Sequence, residues 1–124
     1  MAGFSYASAT RFLNELYGAY NKRDLNAIMA NYAGTVGRYY EAGPLRKDSL
    51  GHVIRNLFLT PVAYSCQPDF NTLSIETQDH HCRLVLRVRE TVQTNAGAAP
   101  QNYQTTIEYV VDAAFHILSE RSLN

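Results

Sequence analysis

This chain of 124 residues has no tryptophan, two cysteines, four prolines and no surplus of either charge, since eleven Lys and Arg stand against eleven Asp and Glu. Each scarcity excludes something. A protein that draws its affinity from neutralising phosphates needs a basic excess, so nucleic acid is not expected as a partner. No apolar run reaches the length that spans a bilayer, so a membrane is not expected either. Met1 to Tyr6 lacks the basic stretch and apolar block of a secretory signal, and the default expectation is a cytoplasmic protein, although a chain trimmed of a leader would read the same. Two cysteines allow one disulfide. If 62–76 and 82–92 form a hairpin centred near 78–79, Cys82 faces Ile75 and Cys66 faces Thr91, which puts the sulfurs roughly 30 Å apart at about 3.3 Å per residue. Disulfide geometry needs Cα atoms within about 7 Å, so reduced thiols are expected.

What is present is a change of hydrophobic period near residue 61. Before it, apolar residues recur with helical spacing. Ala9, Phe12, Leu13, Leu16, Tyr17 and Tyr20 form one stripe, with Ser8 placed to cap the helix. Asp24 is placed to cap a second helix carrying Leu25, Ile28, Met29 and Tyr32 and stopped by Gly34. Thr35 to Glu41 reads as a short strand interrupted at Gly37, and Gly43-Pro44 as a turn. Asp48 is placed to cap a third helix with the stripe Leu50, Val53, Ile54, Leu57 and Phe58, ended by Pro61.

After it, the period is two. Cys82, Leu84, Leu86 and Val88 point one way and Arg83, Arg87 and Arg89 the other. Tyr103, Thr105, Ile107, Tyr109 and Val111 alternate with Gln104, Thr106 and Glu108, and 115–120 reads as a last strand. Residues 94–100 form a polar, Gly- and Pro-bearing hairpin loop. Helices first and long strands afterwards make an α+β fold in one domain, 1–124: three N-terminal helices packed on a strongly curved, mostly antiparallel sheet of five or six strands forming a cone.

That order of elements resembles the nuclear transport factor 2-like superfamily. "FLNELYGAYNKRDLNAIMANYA" resembles its opening helical hairpin, and "YVVDAAFHILSERS" its closing strands. The resemblance implies a conical cavity and, commonly, a homodimer through the outer sheet face. Here that face would carry Arg83, Val85, Arg87, Thr106, Glu108 and Val110. The superfamily spans ketosteroid isomerases, dehydratases, polyketide cyclases and non-catalytic domains, so the fold does not fix the chemistry. Its isomerases use a carboxylate base at the end of the first strand, with a tyrosine and a second carboxyl group as donors. This chain has Tyr40 where the base would be compared, and Leu16 or Tyr17 at the donor tyrosine.

No metal site and no cofactor are expected. Asp79-His80-His81-Cys82 carries ligand-type residues, but neighbours on a strand face opposite sides, and a polar hairpin tip is the simpler account. His52 falls one residue off the third helical stripe, and His116 reads as a sheet-surface residue. Tyrosine is abundant, nine in all. Tyr6, Tyr32, Tyr39 and Tyr64 are assigned to packing. Tyr17, Tyr20, Tyr40 and Tyr109, with Phe58 and Leu86, are the candidate lining of an apolar, hydroxyl-bearing pocket. The expected wall also includes Leu13, Leu16, Leu57, Leu84 and Ile107, with no two titratable groups in hydrogen-bonding reach. The favoured reading is a non-catalytic domain that binds a small apolar ligand. Two others stay open: an isomerase, dehydratase or cyclase with an atypical site using Glu41, His52 and Tyr40, and an assembly module acting through the outer sheet face.

Overall fold

The computed structural model describes residues 4–123. Helix α1, Tyr6–Lys22, buries the whole expected stripe from Ala9 to Tyr20. Its N-cap is Ser5, not Ser8. The Ser5 Oγ accepts from the Ser8 N–H (3.0 Å) while the Ser8 Oγ accepts from the Ser5 N–H (2.9 Å), a reciprocal box that makes Ser8 the third helical residue. The helix stops where Arg23 turns left-handed at φ 58°. Helix α2, Leu25–Met29, is capped by Asp24 as expected but ends before Tyr32, which instead bridges to Ile117.

The segment 35–41 is not one strand. It divides into β1, Thr35–Val36, and β2, Arg38–Tyr39, which enter different sheets. After β3, Leu45–Arg46, helix α3 runs Lys47–Ile54. Its N-cap is Arg46, without a side-chain bond; Asp48 lies inside the first turn and accepts from the Ser49 N–H (2.8 Å). Helix α3 passes into a π-helical turn, Arg55–Leu59, whose wider winding shifts the apolar stripe. Leu57 is therefore 53% exposed and does not belong to the core.

Four long strands follow: β4, Ala63–Gln78; β5, His81–Gln93; β6, Gln101–Val111; and β7, Ile117–Ser122. With β2 they make a curved sheet ordered β2-β7-β6-β5-β4, antiparallel except for the β2–β7 pair, while β1 and β3 pair separately. The α+β cone expected from the change of period is thus present. The β4–β5 register differs from the one expected: Cys82 faces Thr77 because the hairpin turns at Asp79-His80, and Cys66 faces Glu90 because a bulge between Asp69 and Ser74 absorbs residues farther along. Both cysteines are free and buried.

The free edge of β4 is sealed by side chains of α1 and its flanks. Asn21 donates to the Cys66 carbonyl (2.9 Å) and accepts from its N–H (2.7 Å), Arg23 donates to the carbonyls of Pro61 and Val62, and the Tyr6 hydroxyl donates to that of Phe70. Side chains here take the place of a neighbouring strand. Leu13 and Leu16 of α1, Ile54 of α3 and Leu84 and Leu86 of β5 share one core and are fully buried, while Tyr103, on the same alternation as Tyr109, is exposed at the far end of β6. No described helix is long and apolar enough to cross a membrane.

Candidate functional site

Seven tyrosines and two glutamates concentrate inside the cone. The sheet places three of them in one row. Tyr39 on β2, Glu120 on β7 and Tyr109 on β6 are register partners, with Leu84 of β5 next in line. Glu120 is only 3% exposed, and its carboxyl accepts from Tyr32 at Oε1 and from Tyr40 at Oε2, each at 2.8 Å. Tyr20 and Tyr32 share a bond of 2.7 Å, and Tyr17 and Tyr109 one of 2.6 Å. Nearer the mouth, the Tyr64 hydroxyl donates to Glu90 at 2.5 Å. Phe58 packs edge-on against both Tyr20 and Tyr64.

The expectation of an interior without titratable groups in contact is corrected here: a carboxyl and two phenols meet at hydrogen-bonding distance. Burial drives the Glu120 carboxyl up to about 7; the two phenol bonds oppose the shift and the charge of Glu90 adds to it. Burial likewise holds Tyr17, Tyr20, Tyr32, Tyr39, Tyr40 and Tyr109 well above the ordinary phenol value, so all stay protonated. The Cys66 thiol, also buried, is pushed up to about 12 and is a poor nucleophile.

Tyr40 has two unusual features. Its φ of 54° is left-handed, a conformation that costs an aromatic residue roughly 1–2 kcal/mol. It is held there by Glu120 from two directions, since the Tyr40 N–H donates to the Glu120 carbonyl (2.7 Å) as its hydroxyl donates to the side chain. Tyr40 is also the one half-buried phenol among those around Glu120. Tyr39, beside it, is buried, and its hydroxyl is the one buried side-chain polar atom without a hydrogen-bond partner among the described residues.

Of the residues singled out in the sequence, Tyr17, Tyr20, Tyr40 and Tyr109 come together in this cluster, Phe58 packs against it and Leu86 lies fully buried in the core. Glu41 and His52 are exposed and make no described bond to it. Tyr32, Tyr39 and Tyr64, assigned to packing, are polar members of the cluster, and Tyr6 is exposed. Glu120 was missed entirely. Among the described residues no three His, Cys, Asp or Glu side chains are grouped to hold a metal. Of the cluster, only Tyr64 lines any of the surface clefts described around the molecule. One of about 410 Å³ opens between Asn21, Tyr64, Cys66, Arg89 and Thr91.

No family model and no curated protein matches this sequence. Solved structures do match in fold. A protein from Novosphingobium aromaticivorans, provisionally named a scytalone dehydratase, superposes with a TM-score of 0.80 at 7% identity, over 94% of this chain and 80% of that one. A nuclear transport factor 2-like superfamily protein from Salmonella enterica serovar Typhimurium gives 0.78 at 10% identity, over 94% and 88%. A computationally designed binder of 17-OHP gives 0.75 at 11% identity, over 93% and 90%. The chain has the nuclear transport factor 2-like fold.

Proposed function

We propose that this chain binds a small, flat, largely apolar molecule bearing acceptor oxygens, held in the conical interior beside Glu120. The observation that carries the reading is the count of phenol protons. Tyr32 and Tyr40 donate to Glu120, so the Tyr20–Tyr32 bond must run from Tyr20 to Tyr32, and Tyr64 donates to Glu90. One of Tyr17 and Tyr109 donates to the other, leaving the acceptor's own proton uncommitted, and Tyr39 donates to nothing. Two donors are left over. A complementary ligand supplies acceptors, and it is neutral, because Glu90 and Glu120 disfavour an anion. Carbonyl compounds fit both requirements. A fold neighbour designed to bind 17-OHP and another named as a dehydratase support a small organic ligand.

The test is a panel of flat neutral ketones and quinones set against their oxygen-free hydrocarbon counterparts, read by thermal shift and calorimetry. The carbonyl compounds should bind and the hydrocarbons should not. Tyr39→Phe removes an unbonded hydroxyl, so it should fold normally and weaken binding about tenfold. Equal binding of both sets of compounds, or none of either, refutes the reading.

Glu120 favours a second reading, acid–base catalysis on such a ligand. A carboxyl titrating about 7 populates both protonation states near neutrality, which suits a general acid or base. Glu120→Gln that binds normally yet loses turnover separates catalysis from binding.

The outer sheet face supports assembly as well. We place the expected homodimer contact on the rows carrying Val85, Glu108 and Val110, where half-buried valines flank a neutralised carboxylate. Sedimentation equilibrium should show a concentration-dependent mass, and a monomer at all concentrations would remove the proposal.

A further inference from the structure

The outer face of the sheet divides into two electrostatically different halves, and the register shows where. On one half Glu108 is 5% exposed and accepts from Arg83 Nε (2.5 Å), Arg121 Nε (2.7 Å) and Arg121 Nη2 (3.2 Å), while Glu76 stands 3.7 Å from Arg83. The two arginines hold the Glu108 carboxyl below its usual range. Two cations and two anions close on one another there.

The other half is built from three rows of register partners: Asp69, Arg87 and Thr106; Gln67, Arg89 and Gln104; and Ser65, Thr91 and Asn102. Every side chain in them is polar. Arg87 and Arg89 are exposed, and among the described residues neither enters an ion pair. The single carboxylate of these rows, Asp69, turns into its own bulge and accepts from the Asn71 N–H (3.1 Å). Two clefts, of about 250 and 410 Å³, meet at Gln67 and Arg89.

We propose that this half of the face docks an acidic, extended segment of a partner protein, with carboxylates two residues apart meeting Arg87 and Arg89. Alternate residues on one strand face are about 6.6 Å apart, and so are alternate carboxylates on an extended peptide. Guanidinium groups pair bidentately with carboxylates, and the amides of Gln67 and Asn102 offer bonds to a peptide backbone. An apolar helix finds nothing to bury against here. A second copy presents the same unneutralised arginines and is repelled. The site is separate from the interior cluster, so it stands or falls independently of the ligand reading.

The probe is a fluorescein-labelled octapeptide of alternating Glu and Ser, with a Lys–Ser octapeptide as control, followed by fluorescence anisotropy. The acidic peptide should bind with an affinity that falls as salt rises, and the basic one should not bind. Arg89→Ala should weaken binding about tenfold and Arg87→Ala with Arg89→Ala should abolish it, as loss of charge-assisted bonds predicts, while Arg11→Ala on α1 changes nothing. These are exposed residues, so folding is preserved, which circular dichroism checks. Equal weakening by Arg11→Ala means diffuse charge attraction and overturns the proposal. So does no binding, or displacement by free glutarate at the peptide's own concentration.

Discussion

Replacing Glu120 by glutamine should erase most of a pH dependence that this one residue imposes on stability. The unfolded carboxyl titrates at its ordinary value of 4.5 and the folded one at about 7, chiefly because burial penalises the charge. An acid whose folded pKa is raised binds more protons when folded. It therefore costs nothing below the unfolded value, weakens the fold progressively from pH 4.5 to about 7, and costs a constant amount above that. At 1.36 kcal/mol per pH unit over about 2.5 units the full loss is about 3 kcal/mol. For a chain of this size that is a fall in Tm of about 10 °C between pH 4.5 and 7.5. The wild type and Glu120→Gln should be melted across that range by circular dichroism, with denaturant curves at both ends to convert Tm into free energy. The variant should also differ from wild type by a constant offset, because an amide offers one acceptor oxygen where the carboxylate offers two. The diagnostic quantity is the difference in slope. Parallel pH profiles for the two proteins would refute the reasoning, since they would mean that Glu120 titrates alike folded and unfolded, in reach of water.

Tyr40→Phe removes the donor to Glu120 Oε2, so it should cost about 1–3 kcal/mol at pH 8 in denaturant unfolding, and much less at pH 5 where the carboxyl is protonated. A loss equal at both pH values would assign the effect to ring packing. Leu86→Ala, at a fully buried position between sheet and helix, should cost about 2–5 kcal/mol with no pH dependence, measured by the same unfolding curves.

Much of the fold was legible because period is a local property. A stripe at i, i+3 and i+4 can bury only as a helix, and the set Cys82, Leu84, Leu86 and Val88 only as a strand, so α1 and β5 were read with their faces correct. Caps were harder: Ser8 was read as the cap, but backbone geometry puts Ser5 outside the helix and Ser8 in its first turn. The candidate site was read in part. The aromatic spacing of α1 put Tyr17 and Tyr20 inside, but Tyr40 was read only as pocket lining, with nothing local to reveal its bond to a residue eighty positions away.

Glu120 shows most clearly what sequence left undecided. A strict period of two from buried Ile117 sends residue 120 to the outer face. The pairing of β6 with β7 instead slips beside Leu118, so that Val110 faces Ser119 while Val111 faces Ile117, and the parity of the strand inverts. Glu120 then enters the interior row between Tyr39 and Tyr109. Such a bulge is set by how two distant strands and the Gly37 N–H on the Leu118 carbonyl settle together, not by the residues within β7. Sequence by itself determined which segments are helix and strand, because hydrophobic period acts within a few residues. Only the tertiary structure decided which carboxyl lies in the core, because strand parity after a bulge depends on pairing across the chain.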